Sequence, residues 1–270
     1  MYTEPRLASG ELGPIELFRE RLRIVQANTS ELLDEVFRLR YQVYCLERSF
    51  ENVSDYPDGR ERDDDDSRSA HSLLLFRSAK GFENTAVGTV RLILPRRGTD
   101  LPVFKLLSDH ERRNIDIPWE STAEVSRFAV PRGFRRCLEK DLGYPPQERA
   151  KAVSSTRRVL NLLNFWLIRA VTTMAAKEGM THIVAMMEPP LLRLIWALGI
   201  PFHPTGQMVE HHGLRQPGWA AMANTDHIRR YRPDLWELAF HAEWASSEAP
   251  ALAQLRDSSR DFTAHAVDFD

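Results

Sequence analysis

Cysteine is almost missing from this sequence: Cys45 and Cys137 are the only two in 270 residues, and no CxxC pair occurs. That argues against a disulfide framework and a cysteine-rich zinc site, and it makes a reducing cytoplasm the simplest compartment. No apolar run approaches the ~18 residues of a membrane-spanning helix. Met1–Gly10 carries Glu4 and Arg6 and lacks the apolar core of a secretory signal. There is no basic excess either. Lys and Arg total 36 against 38 Asp and Glu, a net charge of −2, so bulk charge gives no argument for nucleic acid. Internal repeats and low-complexity tracts are absent. What is present is an ordinary globular composition, 43% hydrophobic and 27% charged, which rules out a wholly disordered, collagen-like or coiled-coil chain.

Periodicity supplies the elements. Arg21–Ala27 alternates as a first strand. Asn28-Thr29-Ser30-Glu31 is a helix start, and Leu33, Val36, Phe37, Val43 and Tyr44 follow at helical spacing. Arg40 falls inside that apolar stripe, a charge that needs a partner. Glu51–Arg68 is a polar, acid-rich loop. His71–Arg77 and Ala86–Leu94 read as a hairpin around the turn Ser78–Thr85. A short helix fits within Pro95–Asp116. Ala123–Val130 is a fourth strand, and Pro131–Ser155 a long connection. Thr156–Lys177 is a helix, apolar nearly all round and hence buried. Thr181–Met187 is a strand. Glu188-Pro189-Pro190 opens a helix that Gly199 closes. Phe202–Val209 and Trp219–Met222 suggest a last hairpin, and a polar helix covers Asp226–Ala239. This order predicts an α/β fold with a mixed central sheet flanked by helices. We expect an extension over 1–20, a single domain over 21–248 and a loose tail over 249–270.

Several charged residues sit where charge is costly. Taken singly, each has a plain reading. Glu61-Arg62-Asp63-Asp64-Asp65-Asp66 is a solvated acid loop that lacks the oxygen spacing of a calcium site. Arg91 is a surface residue of its strand, Glu124 and Arg127 form a structural ion pair, and Arg40 snorkels out of its helix face.

In combination they resemble a known pattern. Leu39-Arg40-Tyr41-Gln42-Val43-Tyr44, then Phe50, then Glu61-x-Asp63-x-x-Asp66, then Gly88-x-x-Arg91-Leu92, then Glu124-Val125-Ser126-Arg127-Phe128-Ala129-Val130 is similar in order and spacing to the acyl-homoserine-lactone synthase superfamily. Tyr44 stands where that family has Phe, and Phe50 where it usually has Trp. The likeness runs over about residues 20–210. Met187–Arg193 and Val209–Pro217 resemble a narrower branch, the exosortase-system (PEP-CTERM) acyltransferases, relatives of long-chain N-acyl amino acid synthases.

The resemblance implies the GNAT N-acyltransferase fold, an acyl-thioester donor and an amine acceptor. The residues fit that chemistry. Carboxylates take the ammonium of an amino acid and Arg its carboxylate. Buried together, such charges cost far less than singly. The amine must lose a proton before it attacks, and Glu124 is the candidate general base. Backbone N–H groups after Arg127 can face the oxyanion if the strand splays there. Glu124 and Arg127 are thus the catalytic candidates, with Arg40, Tyr44, Phe50, Asp63, Asp66, Arg91 and Phe128 binding substrate. Glu124 and Arg127 lie three apart, so a regular strand would face them oppositely, and a bulge between them is expected. Phe104, Leu163, Trp166 and Met186 are expected to wall an acyl-chain pocket. Cys45, Cys137, His182, His211 and His212 read as structural, and no spacing supports a metal site.

The donor leaves a weaker trace. Residues 131–155 lack the Gly-rich RxxGxG/A loop with which acetyl-CoA users of this fold cradle pyrophosphate. Residues 132–158 instead hold eight basic residues (Arg132, Arg135, Arg136, Lys140, Arg149, Lys151, Arg157, Arg158) against three acids (Glu139, Asp141, Glu148). That patch suits an acidic acyl carrier protein (ACP), so acyl-ACP is the expected co-substrate ahead of acyl-CoA, with no bound cofactor. The leading reading is a cytoplasmic N-acyltransferase acting on the amine of an amino acid or similar small acceptor. The alternatives are a homoserine-lactone synthase using S-adenosylmethionine and a non-catalytic lipid- or signal-binding module.

Overall fold

Among the described residues eight strands, β1 (Leu22–Gln26), β2 (Ser69–Arg77), β3 (Asn84–Ile93), β4 (Thr122–Ala129), β5 (His182–Met187), β6 (His203–Pro204), β7 (Val209–Glu210) and β8 (Leu214–Ala221), form a mixed sheet in the order β1-β2-β3-β4-β5-β8-β6, with β7 paired to β8. The computed structural model describes residues 21–77, 84–134, 149–197 and 199–222, with residues 230 and 233. The expected extension over 1–20, the turn tip at 78–83, the helix over 226–239 apart from residues 230 and 233, the tail and Cys137 lie outside the described residues.

The first half is antiparallel. β1 (Leu22–Gln26) pairs with β2 (Ser69–Arg77), and β2 with β3 (Asn84–Ile93). Between β1 and β2 lies α1 (Ser30–Arg40), whose N-cap is Thr29: its hydroxyl accepts the Leu32 N–H. Leu32, Val36 and Leu39 of α1 pack on Leu73 and Leu75 of β2. The chain then widens into a π-helical stretch, Tyr41–Glu47. The acidic loop contains two short 3₁₀ turns, Val53–Asp55 and Asp64–Arg68.

After β3 come a 3₁₀ turn, Pro102–Leu106, and α2 (Asp109–Arg113), then β4 (Thr122–Ala129), antiparallel to β3. β4 and β5 (His182–Met187) are parallel, which demands a long crossover. α3 (Arg149–Lys177) supplies it. It begins seven residues earlier than periodicity suggests, because past Pro145-Pro146 the run Arg149–Ala152 consists of good helix formers. α4 (Pro189–Ala197), β6 (His203–Pro204), β7 (Val209–Glu210) and β8 (Leu214–Ala221) complete the described fold. β8 starts well before Trp219, through Pro217 and Gly218, residues that normally argue against a strand. Gly218 is required here: a Cβ would lie 2.3 Å from a Phe202 ring carbon and 2.6 Å from the His203 carbonyl.

The sheet has two unlike faces. On one, α3 packs through Leu163, Trp166, Leu167 and Ala170 against Leu74, Val90, Leu92 and Ala123. On the other, α1 covers one end. Ile93, Val103, Phe104, Ile117 and Val184 form an apolar cluster at the other end, with Met186 and Trp219 packed against it. Between those two apolar ends lies a band of charge.

Candidate active site

Three arginines from three elements meet in that band. Arg40 ends α1 with no exposed surface; its Nε donates to Glu61 Oε2 at 2.5 Å and its Nη1 to Asp66 Oδ1 at 2.6 Å. Arg91 of β3 donates from Nη1 to Asp63 at 2.5 Å and to Asp66 at 2.7 Å, and from Nε to Ser126 Oγ at 2.9 Å. Arg127 of β4 reaches Glu61 Oε1 at 2.9 Å, Asp63 Oδ2 at 3.2 Å and Glu51 Oε1 at 3.5 Å. The three guanidiniums therefore face four carboxylates, and the local balance favours an incoming cation. Paired arginines hold Glu61, Asp63 and Asp66 below the usual carboxylate range, despite burial.

Local structure explains the convergence. Asp63 caps the turn Asp64–Arg68 and Asp66 closes a reciprocal capping box, so both carboxylates are fixed by backbone N–H groups. Across β3 and β4 the register moves two residues on one strand and three on the other, from Arg91–Ser126 to Thr89–Ala129. This bulge lies at Arg127, whose φ of +49° is left-handed, uncommon for a residue other than glycine. It turns Arg127 into the band that Arg91 already occupies. The β4–β5 ladder stops at Val125–Ala185, so β4 runs on without that partner.

Glu124 stands apart. It lies on the same face as Arg91, two residues before Ser126, but among the described residues it bonds to no arginine. Its Oε2 accepts the Val103 N–H at 2.8 Å, its one hydrogen bond among the described residues, and it is 5% exposed beside Val103 and Val184. Burial pushes this carboxyl up to about 7, with the nearby Arg91 charge offsetting a little. A small pocket beside it is lined by Val103, Phe104, Val184, Pro217 and Trp219, among others. Glu124 thus marks the boundary between charge and hydrocarbon.

The open side of the band is aromatic. Tyr44, from the π-helical stretch, lies under Arg127, 5.2 Å from ring centre to guanidinium carbon. Phe50 leans against Tyr44 at 6.2 Å and stacks on His212 at 5.0 Å. Of the charged residues that the sequence marks as candidates, Arg40, Asp63, Asp66, Arg91 and Arg127 meet in one network, whereas Glu124 lies at its edge with no ion pair to it among the described residues; Tyr44 and Phe50, expected to bind substrate, border the network. Sequence reasoning left out Glu61 as a side chain holding two arginines, and Glu51; the signal available for Glu61 was its place at the head of the Glu61-x-Asp63-x-x-Asp66 pattern. It also left out His71, which pairs with Arg91 across β2 and β3 and lies 3.6 Å from Asp66. Burial pushes the His71 imidazole down to about 4, so it is neutral; its two ring nitrogens and Arg40 Nη2 have no hydrogen-bond partner among the described residues.

The four acyl-wall residues divide between the sheet faces. Phe104 and Met186 belong to the cluster next to Glu124, whereas Leu163 and Trp166 are on α3 and pack on the opposite face of the sheet. Phe128 packs against both clusters on the α3 side. Among the described residues no group of three or more His, Cys, Asp or Glu is placed to hold a metal, in keeping with carboxylates already committed to guanidiniums. Cys45 is buried and its thiol is pushed up to about 11, which leaves it inert at neutral pH. Of the eight basic residues in 132–158, only Arg132 has a described side chain. No described helix is long and apolar enough to cross a membrane.

Residues 39–140 match the acetyltransferase (GNAT) domain family, a span containing every member of the charge cluster. No curated protein matches the chain. Solved structures do. The CoA-dependent acyl-homoserine lactone synthase BjaI, solved with MTA, is 20% identical with a TM-score of 0.51, covering 78% of this chain and 88% of its own. MesI, also a CoA-dependent acyl-homoserine lactone synthase, gives 20% and 0.51, covering 78% and 94%. TofI, in a ternary complex with an inhibitor and MTA, gives 18% and 0.51, covering 80% and 99%. At such identities the likeness is one of fold, and the mixed sheet with its parted fourth and fifth strands is the GNAT fold. With that fold and a domain match spanning its charge cluster, the chain carries a GNAT acetyltransferase domain and is an acyltransferase.

Proposed function

We propose that the protein transfers a fatty-acyl chain from a thioester to the amine of an amino acid or similar small acceptor. One observation carries this: Glu124, a carboxyl pushed up to about 7, stands between a charge cluster with excess carboxylate and an apolar pocket. A general base works best with a pKa near the operating pH, and this one has that value on the border of both substrates' environments.

In the proposed reaction the acceptor's ammonium docks against Glu51 and Asp63, the partly exposed carboxylates of the rim. Glu124 accepts its proton, directly or through a water. The amine attacks the thioester carbonyl, the C–N bond forms, the C–S bond breaks, and the thiolate leaves and is protonated. Backbone N–H groups of β4 beyond Val125, no longer laddered to β5, suit the transient oxyanion. Arg127 and Arg91 hold the carboxylates in place, Arg40 braces Glu61 and Asp66, and Tyr44 and Phe50 border the acceptor. The acyl chain runs beside Glu124 against Phe104 and Met186. Leu163, Trp166 and Phe128 contact it where it passes between the parted strands. Each buried CH₂ contributes ~0.8 kcal/mol, so an apolar wall is needed.

The donor in this proposal is acyl-ACP in the cytoplasm, supported by the basic residues of 132–158. The CoA-dependent neighbours keep acyl-CoA as the second arm of the test. Their kind also supports a second reading, lactone synthesis from S-adenosylmethionine. The branch-specific segments 187–193 and 209–217 favour N-acyl amino acids in a PEP-CTERM setting. Purified protein given decanoyl-ACP or decanoyl-CoA with a panel of amino acids and S-adenosylmethionine decides: N-acyl amino acids by mass spectrometry support the proposal. Acyl-homoserine lactone supports the second reading, and no amide product at all overturns both.

A further inference from the structure

An α-amino acid brings a carboxylate as well as an ammonium, and the guanidiniums of the inner cluster are turned to its own carboxylates; Arg40 Nη2, which has no partner among the described residues, is fully buried and out of reach. Arg40 spends Nε and Nη1 on Glu61 and Asp66, Arg91 shares Nη1 between Asp63 and Asp66, and Arg127 gives Nε and Nη2 to Glu61 and Asp63. A second anion entering there would meet four carboxylates.

The cationic charge lies outside, around Phe50. Arg215, from the start of β8, has its guanidinium carbon 5.7 Å from the Phe50 ring centre, and Arg48 lies 5.8 Å away on the same ring. Arg215 is only 18% exposed and is oriented rather than loose: its Nε donates to the His211 carbonyl at 2.7 Å. Among the described residues its Nη2 makes only long contacts, 3.4 Å each, to Glu188 and the His212 carbonyl. The same turn stacks His212 on Phe50 and brings it to 3.9 Å from Glu51, the carboxylate that also meets Arg127. The ammonium-binding rim and this guanidinium therefore flank one aromatic ring.

We infer that Arg215 reads the α-carboxylate of the acceptor, over Phe50, so that the β7–β8 turn sets the choice of amino acids over simple amines. Nothing in the reaction itself needs that carboxylate; the selectivity comes from the turn. The inference rests on the proposed acyl transfer to an amine.

The test compares matched acceptors with a decanoyl thioester: L-phenylalanine against phenethylamine, and L-leucine against 3-methylbutylamine, which differ only by the carboxylate. Wild-type protein should prefer the acids. Arg215→Met should lower the acid-to-amine ratio of kcat/KM ~10–100-fold, the usual worth of a charged hydrogen bond, with the change in the KM of the acids. Arg215→Lys should recover part of it, having the charge without the fork. Because the readout is a ratio within one variant, loss of folded protein does not mimic it. Equal use of acid and amine by wild type, or an unchanged ratio in Arg215→Met, overturns the inference while leaving acyl transfer standing. Acylation of neither class overturns the proposed function and this inference with it.

Discussion

Glu61 and Glu124 are the same residue type, equally hidden, and end in opposite states. Glu61 has no exposed surface and touches Arg40 and Arg127, which hold it below the usual carboxylate range. Glu124, 5% exposed, has one backbone N–H and apolar neighbours, and is pushed up to about 7. Burial penalises both charges; only partners differ. The paired carboxylate is fixed in charge and serves the architecture. The lone one exchanges a proton near neutral pH and suits chemistry.

Glu124→Gln breaks one side of that contrast. Turnover should fall ~10²–10⁴-fold with donor affinity kept, the usual loss of a general base. The acidic limb of kcat/KM near pH 7 should vanish with it. Stability should move the other way. A carboxyl raised in the fold contributes fully below its unfolded value and loses that contribution as pH rises through about 7. At pH 8 the ionised, buried Glu124 therefore costs the fold on the order of a few kcal/mol. Glu124→Gln should raise Tm at pH 8 and change it little at pH 5, which thermal melts at the two pH values would reveal. An equal change at both would show that burial does not raise this group.

Glu61→Gln breaks the other side. It leaves Arg40 buried with less countercharge, and such losses cost about 3–5 kcal/mol. Denaturant unfolding should show a lower midpoint, with surviving folded protein keeping a near-neutral acidic limb. Loss of that limb would instead make Glu61 part of the proton path.

A milder change sharpens the comparison. Arg127→Lys retains charge but not the two-pronged fork that spans Glu61 and Asp63. We expect a ~10-fold rise in acceptor KM, from loss of a charged hydrogen bond, with little change in donor KM. Unaltered acceptor kinetics would confine Arg127 to the fold.

The smallest effect separates the two sheet faces. Phe104→Ala should shift the product distribution toward longer chains, since Phe104 lies beside Glu124. Leu163→Trp, on the α3 face, should shorten the preferred chain only to the extent that the chain passes between β4 and β5. Product profiles from mixed-length donors measure both, and no shift from Phe104→Ala would move the pocket elsewhere.

Much of the site was legible in the sequence because charge inside apolar elements demands company. Arg40 in a helix stripe and Arg91 in a strand announced partners, and the three-residue spacing of Glu124 and Arg127 announced the bulge. What stayed hidden depends on register and long-range return. His71 meets Arg91 only through the pairing of β2 and β3, and nothing local says so. The β7–β8 turn returns to Phe50 across more than 150 residues. Grouping the acyl walls by hydrophobicity missed that β5 alternates: Val184 and Met186 point away from α3, Ile183 and Ala185 toward α4. The start of β8 was masked by Pro217 and Gly218, whose place is set by Phe202 and the neighbouring strands.

The π-helical stretch at Tyr41–Glu47 has its own bearing on variation in this chain. Its closing bond runs from Arg48 N–H to the Val43 carbonyl, five residues back at 3.0 Å. Such a bulge is one residue more than an α-helix needs over the same path. Removing a residue there would let the segment relax into ordinary α-helix and rotate everything after it by about 100°. Tyr44 and Phe50 would then lose their shared alignment with Arg127, although no chemical group in the cluster had changed. Substitutions along this segment should be far better tolerated than deletions, so its length, more than its composition, is the heritable constraint.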